Sequence, residues 1–83
     1  MKYHAKVEVS LKAGHSDPEG ETTAQSLKEL KYSVKSVKVS KVYTIELSAG
    51  SMKEAEQYID KMCRQLLANP TKDNYNFTIE ETK

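Results

Sequence analysis

The chain has 83 residues, 13 of them Lys or Arg and 12 Asp or Glu, for a formal charge of +1. Such a balance excludes a general nucleic-acid coat protein, which needs a basic excess to hold a phosphate backbone. With 37% hydrophobic and 30% charged residues, residues 1–83 read as one domain with a small core, and a fold of this size gains from a partner or from self-association.

Tyr3, Ala5, Val7, Val9 and Leu11 alternate with Lys2, His4, Lys6, Glu8, Ser10 and Lys12. This strict period of two predicts a strand with one buried face. Ala13-Gly14-His15-Ser16 breaks the pattern. Asp17 then suits a helix N-cap and Pro18 the first helical position. Glu19 and Glu21 lie at the positive end of the macrodipole, Lys28 and Lys31 near the negative end. The stripe Gly20, Thr23, Ala24, Leu27, Leu30 predicts a helix from about residue 18 to about residue 31, packed on one side.

From Val34 the period returns to two, and Val37, Val39, Tyr43, Ile45 and Leu47 share a phase. A three-residue hairpin loop at Ser40-Lys41-Val42 would pair Val39 with Tyr43 and Val37 with Ile45, keeping one apolar face. A two-residue loop would put Tyr43 and Ile45 on the wrong face. The three-residue loop lacks Gly or Asn where φ is usually positive, and one long strand with a bulge is the competing reading. Ser48-Ala49-Gly50 is a turn, and Ser51-Met52-Lys53-Glu54 a capping box. Ala55, Tyr58, Ile59, Met62, Cys63, Leu66 and Leu67 follow at helical steps, with Asp60 able to pair with Arg64. The helix is expected to stop at Ala68-Asn69-Pro70, with Asn69 in the left-handed conformation. In the last strand Tyr75, Phe77 and Ile79 point inward and Asn74, Asn76, Thr78 and Glu80 outward, and the tail Glu81-Thr82-Lys83 is expected to fray. The order β-α-β-β-α-β predicts an α+β, ferredoxin-like two-layer sandwich: an antiparallel sheet with two helices on one face.

An architecture of this kind hosts many chemistries, and each leaves a trace in sequence. An iron–sulfur ferredoxin needs several cysteines; Cys63 is alone. A metallochaperone would carry Cys-x-x-Cys in the first loop, where Ala13-Gly14-His15-Ser16 stands. An RNA-recognition motif needs aromatics on the solvent face of its strands, whereas Tyr3, Tyr43 and Phe77 share the core phase. The only arginine, Arg64, lies deep in the second helix, away from any phosphate-cradling loop. His4 and His15 read as solvated surface, Asp17 and Glu19 as helix capping, Met62 and Cys63 as core. No catalytic, cofactor-binding or metal-ligating constellation is expected. The lone cysteine, the absence of an apolar run near the ~20 residues that cross a bilayer, and an N-terminus that alternates from Met1 to Lys6 predict a cytoplasmic protein that binds neither membrane nor nucleic acid. What is left is an open polar sheet face with free edges, suited to solvent, to a second copy or to another protein.

Three runs carry a resemblance over the whole chain. The first is Val7-Glu8-Val9 through Leu11-Lys12 to Asp17-Pro18-Glu19-Gly20; the second Val37-Lys38-Val39-Ser40-Lys41 with Tyr43 and Ile45-Glu46-Leu47. The third is Met62-Cys63-Arg64-Gln65-Leu66-Leu67-Ala68-Asn69-Pro70 followed by Asn74-Tyr75. In these the chain resembles PurS, the small S subunit of phosphoribosylformylglycinamidine (FGAM) synthase. It departs from the family where Ala13 replaces a common proline, and where Lys31 and Ser40 replace glycines that tolerate positive φ. The resemblance implies a non-catalytic subunit of a glutamine-dependent, ATP-consuming ligase of de novo purine biosynthesis. In that enzyme a large synthetase subunit activates the amide oxygen of formylglycinamide ribonucleotide with ATP, and ammonia from a glutaminase subunit displaces it. The S subunit is then an assembly element, a dimer or tetramer that bridges the two enzymes and helps shield ammonia, with no cofactor of its own. Lys12, Asp17, Pro18, Gly20, Asn69 and Pro70 match motif positions outside the evident core and are the candidate interface. A small-molecule-sensing regulatory domain of the same architecture is the alternative.

Overall fold

The computed structural model describes residues 1–82. Three strands, β1 (Lys2–Leu11), β2 (Lys41–Ser48) and β3 (Asp73–Thr82), form an antiparallel sheet in the order β2-β1-β3. Helix α1 (Pro18–Glu29) separates β1 from β2, and α2 (Met52–Met62) separates β2 from β3. The alternation in β1 places Tyr3, Ala5, Val7 and Val9 in the core while Lys2, Lys6 and Glu8 face solvent. Register continues that face across the sheet: Val7 lies opposite Tyr43 and Phe77, Ala5 opposite Ile45 and Ile79. Over it lies α2, whose Ala55 and Ile59 are fully buried, as is Cys63 just beyond. Burying a side chain such as Ile59 or Val7 contributes about 1.5–3 kcal/mol, so this single layer contact carries most of the fold. The antiparallel α+β arrangement expected from sequence is present in β1, β2, α2 and β3.

The chain leaves α2 through a π-turn, Cys63–Leu67, closed by the Ala68 amide donating to the Cys63 carbonyl at 2.9 Å. The wider turn shifts the helical phase. Cys63 stays inside, whereas Leu66, expected on the buried stripe, is 83% exposed. Tyr58, expected on the same stripe, is also exposed. At the far end, Glu81 and Thr82 are not frayed but paired with Tyr3 and Lys2; Lys83 lies outside the described residues.

The expected strand before β2 is absent. Residues 33–40 have no ladder partner among the described residues, and the hairpin at Ser40–Val42 is not formed. Lys41 and Val42 are already the first residues of β2, opposite Val9 and Glu8. The sheet therefore has three strands, and the Val39–Tyr43 and Val37–Ile45 pairs do not exist within the chain. Without Gly or Asn at 40–42 the backbone has no residue suited to the reversal, and the segment passes into β2 without forming the hairpin.

Nor does α1 join α2 on the sheet. Its partner is the unpaired segment: Gly20 packs so closely on the Val37 backbone that a Cβ there would run into the Val37 carbonyl oxygen. Of the α1 stripe, Gly20 and Ala24 are buried, Leu27 is half-buried and Leu30 is exposed. The helix closes with a Schellman motif, in which Tyr32 N–H donates to the Leu27 carbonyl and Lys31 N–H to that of Lys28. Lys31 takes a φ of 76° there, in the left-handed region where glycine is favoured. The result is an elongated molecule of 51 × 29 × 14 Å with a radius of gyration of 16.4 Å, against about 12 Å for a compact chain of this length.

Candidate functional site

The six candidate positions fall into two clusters. In the first, Lys12 leaves the end of β1 and ties it to the loop after α2. Its amide donates to the Lys72 carbonyl at 2.7 Å, and its Nζ to the Pro70 carbonyl at 3.1 Å. Asn69 is not in the left-handed conformation expected of it. Its side-chain oxygen accepts from the Thr71 amide at 2.9 Å, and its own amide donates to the Asp73 carboxylate at 2.9 Å. An Asx turn thus replaces the left-handed stop, because the π-turn has already ended the helix in extended backbone at Ala68.

In the second cluster Asp17 uses both carboxylate oxygens. Oδ1 accepts from the Gly20 amide at 2.9 Å, capping α1, and Oδ2 accepts from the Val39 amide at 2.8 Å, 22 residues away. These two N–H groups, Val39 first, hold the Asp17 carboxyl below its ordinary range, with the Lys38 charge adding to them. Pro18 starts the helix and Gly20 admits the Val37 backbone. The Asp-Pro-x-Gly run is thereby a clamp that fixes α1 to residues 37–39.

Both clusters sit at the same end of the molecule. An open cleft of about 210 Å3 there is lined by Val9, Leu11, Asp17, Val39, Leu67 and Lys72. Among the described residues no polar or charged side chain is buried, and no three His, Cys, Asp or Glu side chains are placed to hold a metal ion. Acid–base catalysis at neutral pH draws on groups tuned by desolvation or a close charge. The one buried nucleophile, Cys63, is pushed the wrong way: burial raises its thiol pKa, with the Asp60 charge adding to the effect.

Sequence reasoning found the Asp60–Arg64 pair, at 2.6 Å, but not its third member. Tyr75 donates its hydroxyl to Asp60 Oδ1 at 2.6 Å, joining β3 to α2. That acceptance and the burial around it raise the Tyr75 hydroxyl pKa. The signal was a tyrosine on an inward phase, whose hydroxyl needs a partner. His4, read as solvated surface, is half-buried between Glu46 and Glu80 on the polar face, with Nε2 enclosed and without a hydrogen-bond partner.

A domain of this shape, clamped at one end, is matched over residues 4–81 by the family model of PurS, described as phosphoribosylformylglycinamidine (FGAM) synthase. The chain belongs to the PurS family. The PurS subunit of Archaeoglobus fulgidus is 44% identical over 93% of this chain and 98% of its own length. The solved structure of Thermus thermophilus PurS is 34% identical, covers all of both chains and superposes with a TM-score of 0.89. A chain in the structure of PurLQS from Thermotoga maritima is 27% identical, with a TM-score of 0.88 over 96% of this chain and 99% of that one. Membership of PurS makes this chain a subunit of FGAM synthase in purine biosynthesis.

Proposed function

We propose that the chain is the assembly element of FGAM synthase. It bridges the ATP-dependent synthetase and the glutaminase in the cytoplasm, and contributes to ammonia transfer by holding the two together. ATP and glutamine belong to the partner subunits, and this chain takes no cofactor. The observation that supports this most is an incomplete fold. Leu30, Tyr32, Val42, Tyr58 and Leu66 are presented outward, in a family whose Thermotoga member was solved in a complex named PurLQS.

Self-association fills the incomplete half. Among the described residues the outer edge of β2 has no neighbour. Asp60 faces β3, so Tyr58 lies on the opposite flank of α2, toward β2, and is exposed. Leu30 and Tyr32 at the end of α1 are exposed as well, as is Val42. A second copy that lays its α1 and residues 33–40 along β2 and α2 covers these side chains together. It restores the Val39–Tyr43 and Val37–Ile45 pairs between chains, with Ser40–Val42 as the hinge of a segment exchange. A variant carrying Val37→Cys and Ile45→Cys tests the exchange: oxidation yields a covalent dimer, whereas a chain linked only to itself contradicts it. The bridging role is tested by size-exclusion chromatography of the synthetase and glutaminase subunits of the same organism. A joint peak that forms only when this chain is added is expected; a joint peak without it overturns the proposal.

A further inference from the structure

The exchange leaves the opposite edge of the sheet open. We infer that the outer edge of β3, with the groove between it and α2, accepts an extended segment of a partner subunit, rich in Lys or Arg, as an added strand. The inference rests on the assembly reading and names the surface through which that reading operates.

Three observations carry it. First, β3 is ten residues long and pairs with β1 from Asp73 to Thr82 without a skipped residue. It contains no Pro, Gly, Lys, Arg or bulge, the devices with which edge strands refuse new partners. Second, the groove beside it, of about 520 Å3, is lined by Glu56, Gln57, Asp60, Lys61, Arg64 and Phe77. Tyr75, Phe77 and Ile79 are only half-covered by α2, so alternate apolar side chains of an incoming strand have apolar surface to meet. Third, the charge is one-sided. On the groove side, Asp73 and Glu81 on the strand and Glu56 and Asp60 on the helix flank outnumber Lys61 and Arg64, and Arg64 is engaged by Asp60; Glu80 lies on the opposite face, beside His4 and Lys6. Antiparallel pairing of β3 with the β3 of a second copy would bring Asp73 near Glu80 and Glu81, like charges that oppose the pairing. A basic extended segment meets complementary charge at both ends of the strand and on the α2 flank.

The test uses the full chain with the synthetase and glutaminase subunits, and two edge variants, Asn76→Lys with Glu80→Lys, and Glu80→Lys with Glu81→Lys. Both pairs lie on exposed positions of β3. Each is expected to keep the wild-type melting temperature and self-association while its affinity for the partner subunits falls at least tenfold. Matched changes on the β2 edge, Thr44→Lys with Glu46→Lys, are expected to weaken self-association instead. Partner binding by both β3 variants at wild-type strength overturns the inference, and so does loss of self-association, which would assign the edge to a second copy. Failure of the wild-type chain to bind either subunit would instead overturn the assembly reading beneath it.

Discussion

Asp17 shows how much of a motif is fold. Its carboxylate holds the first turn of α1 with one oxygen and the Val39 amide with the other. Asn in its place keeps one acceptor oxygen and offers a donor where the other acceptor was. In Asp17→Asn, hydrogen exchange at the Val39 amide should quicken while α1 stays helical; unchanged protection would contradict the clamp. The pH dependence has a definite sign. The folded carboxyl titrates below its unfolded value, so its contribution is complete above about pH 4 and is lost as the pH falls through the depressed folded value. Protection of Val39 measured down a pH series should follow that course. Lys31 offers the opposite opportunity. With φ at 76°, Lys31→Gly relieves a left-handed L-residue and should stabilise the chain by about 1 kcal/mol, a rise of roughly 4–8 °C in Tm. No rise would show that the turn gains something from lysine. At this scale the short-range half was legible. The Asp17 cap and the Asp60–Arg64 pair follow from neighbours in sequence, and the Lys31 anomaly from its departure from the family pattern. Val39 and Tyr75, 22 and 15 residues from their carboxylate partners, needed the fold.

Among the elements, β1, α2 and β3 were legible because their periodicity is local and covers one buried face. The segment before β2 has the same periodicity, yet it forms no ladder, since pairing also requires a turn and residues 40–42 cannot readily make one. The π-turn was hidden for another reason: an i to i+5 bond shifts phase without changing composition, so Leu66 read as core. If turn chemistry alone keeps the hairpin open, replacing Ser40-Lys41 with Asn-Gly and deleting Val42 should close it in a type I′ turn, which restores the same Val39–Tyr43 pairing. The variant is expected to elute as a compact monomer with raised strand content by circular dichroism. A variant that elutes like the parent chain would place the cause outside the turn.

As a whole, the molecule is about 51 Å long and 14 Å thick, a shape that buries little and presents much. Thermal stability should then depend on protein concentration, since association that favours the folded state raises Tm by mass action. A Tm constant over a hundredfold dilution would contradict self-association. The candidate interface positions have structural roles within the chain. Lys12, Asn69 and Pro70 secure the loop after α2, and Asp17, Pro18 and Gly20 secure α1 to its segment. Within the chain their motifs fix local geometry. The sequence alone could not separate those roles, because caps and contacts use the same residue types.

The central claim is that this chain couples two enzymes and performs no chemistry. The measurement that tests it most directly compares ammonia and glutamine as nitrogen sources for amidine formation by the synthetase and glutaminase, with and without this chain. Free ammonia needs no bridge. Ammonia-dependent synthesis should therefore be the same in both mixtures, while glutamine-dependent synthesis should appear only when the chain is present. Full glutamine-dependent synthesis without it, or turnover by the chain alone, would contradict the account.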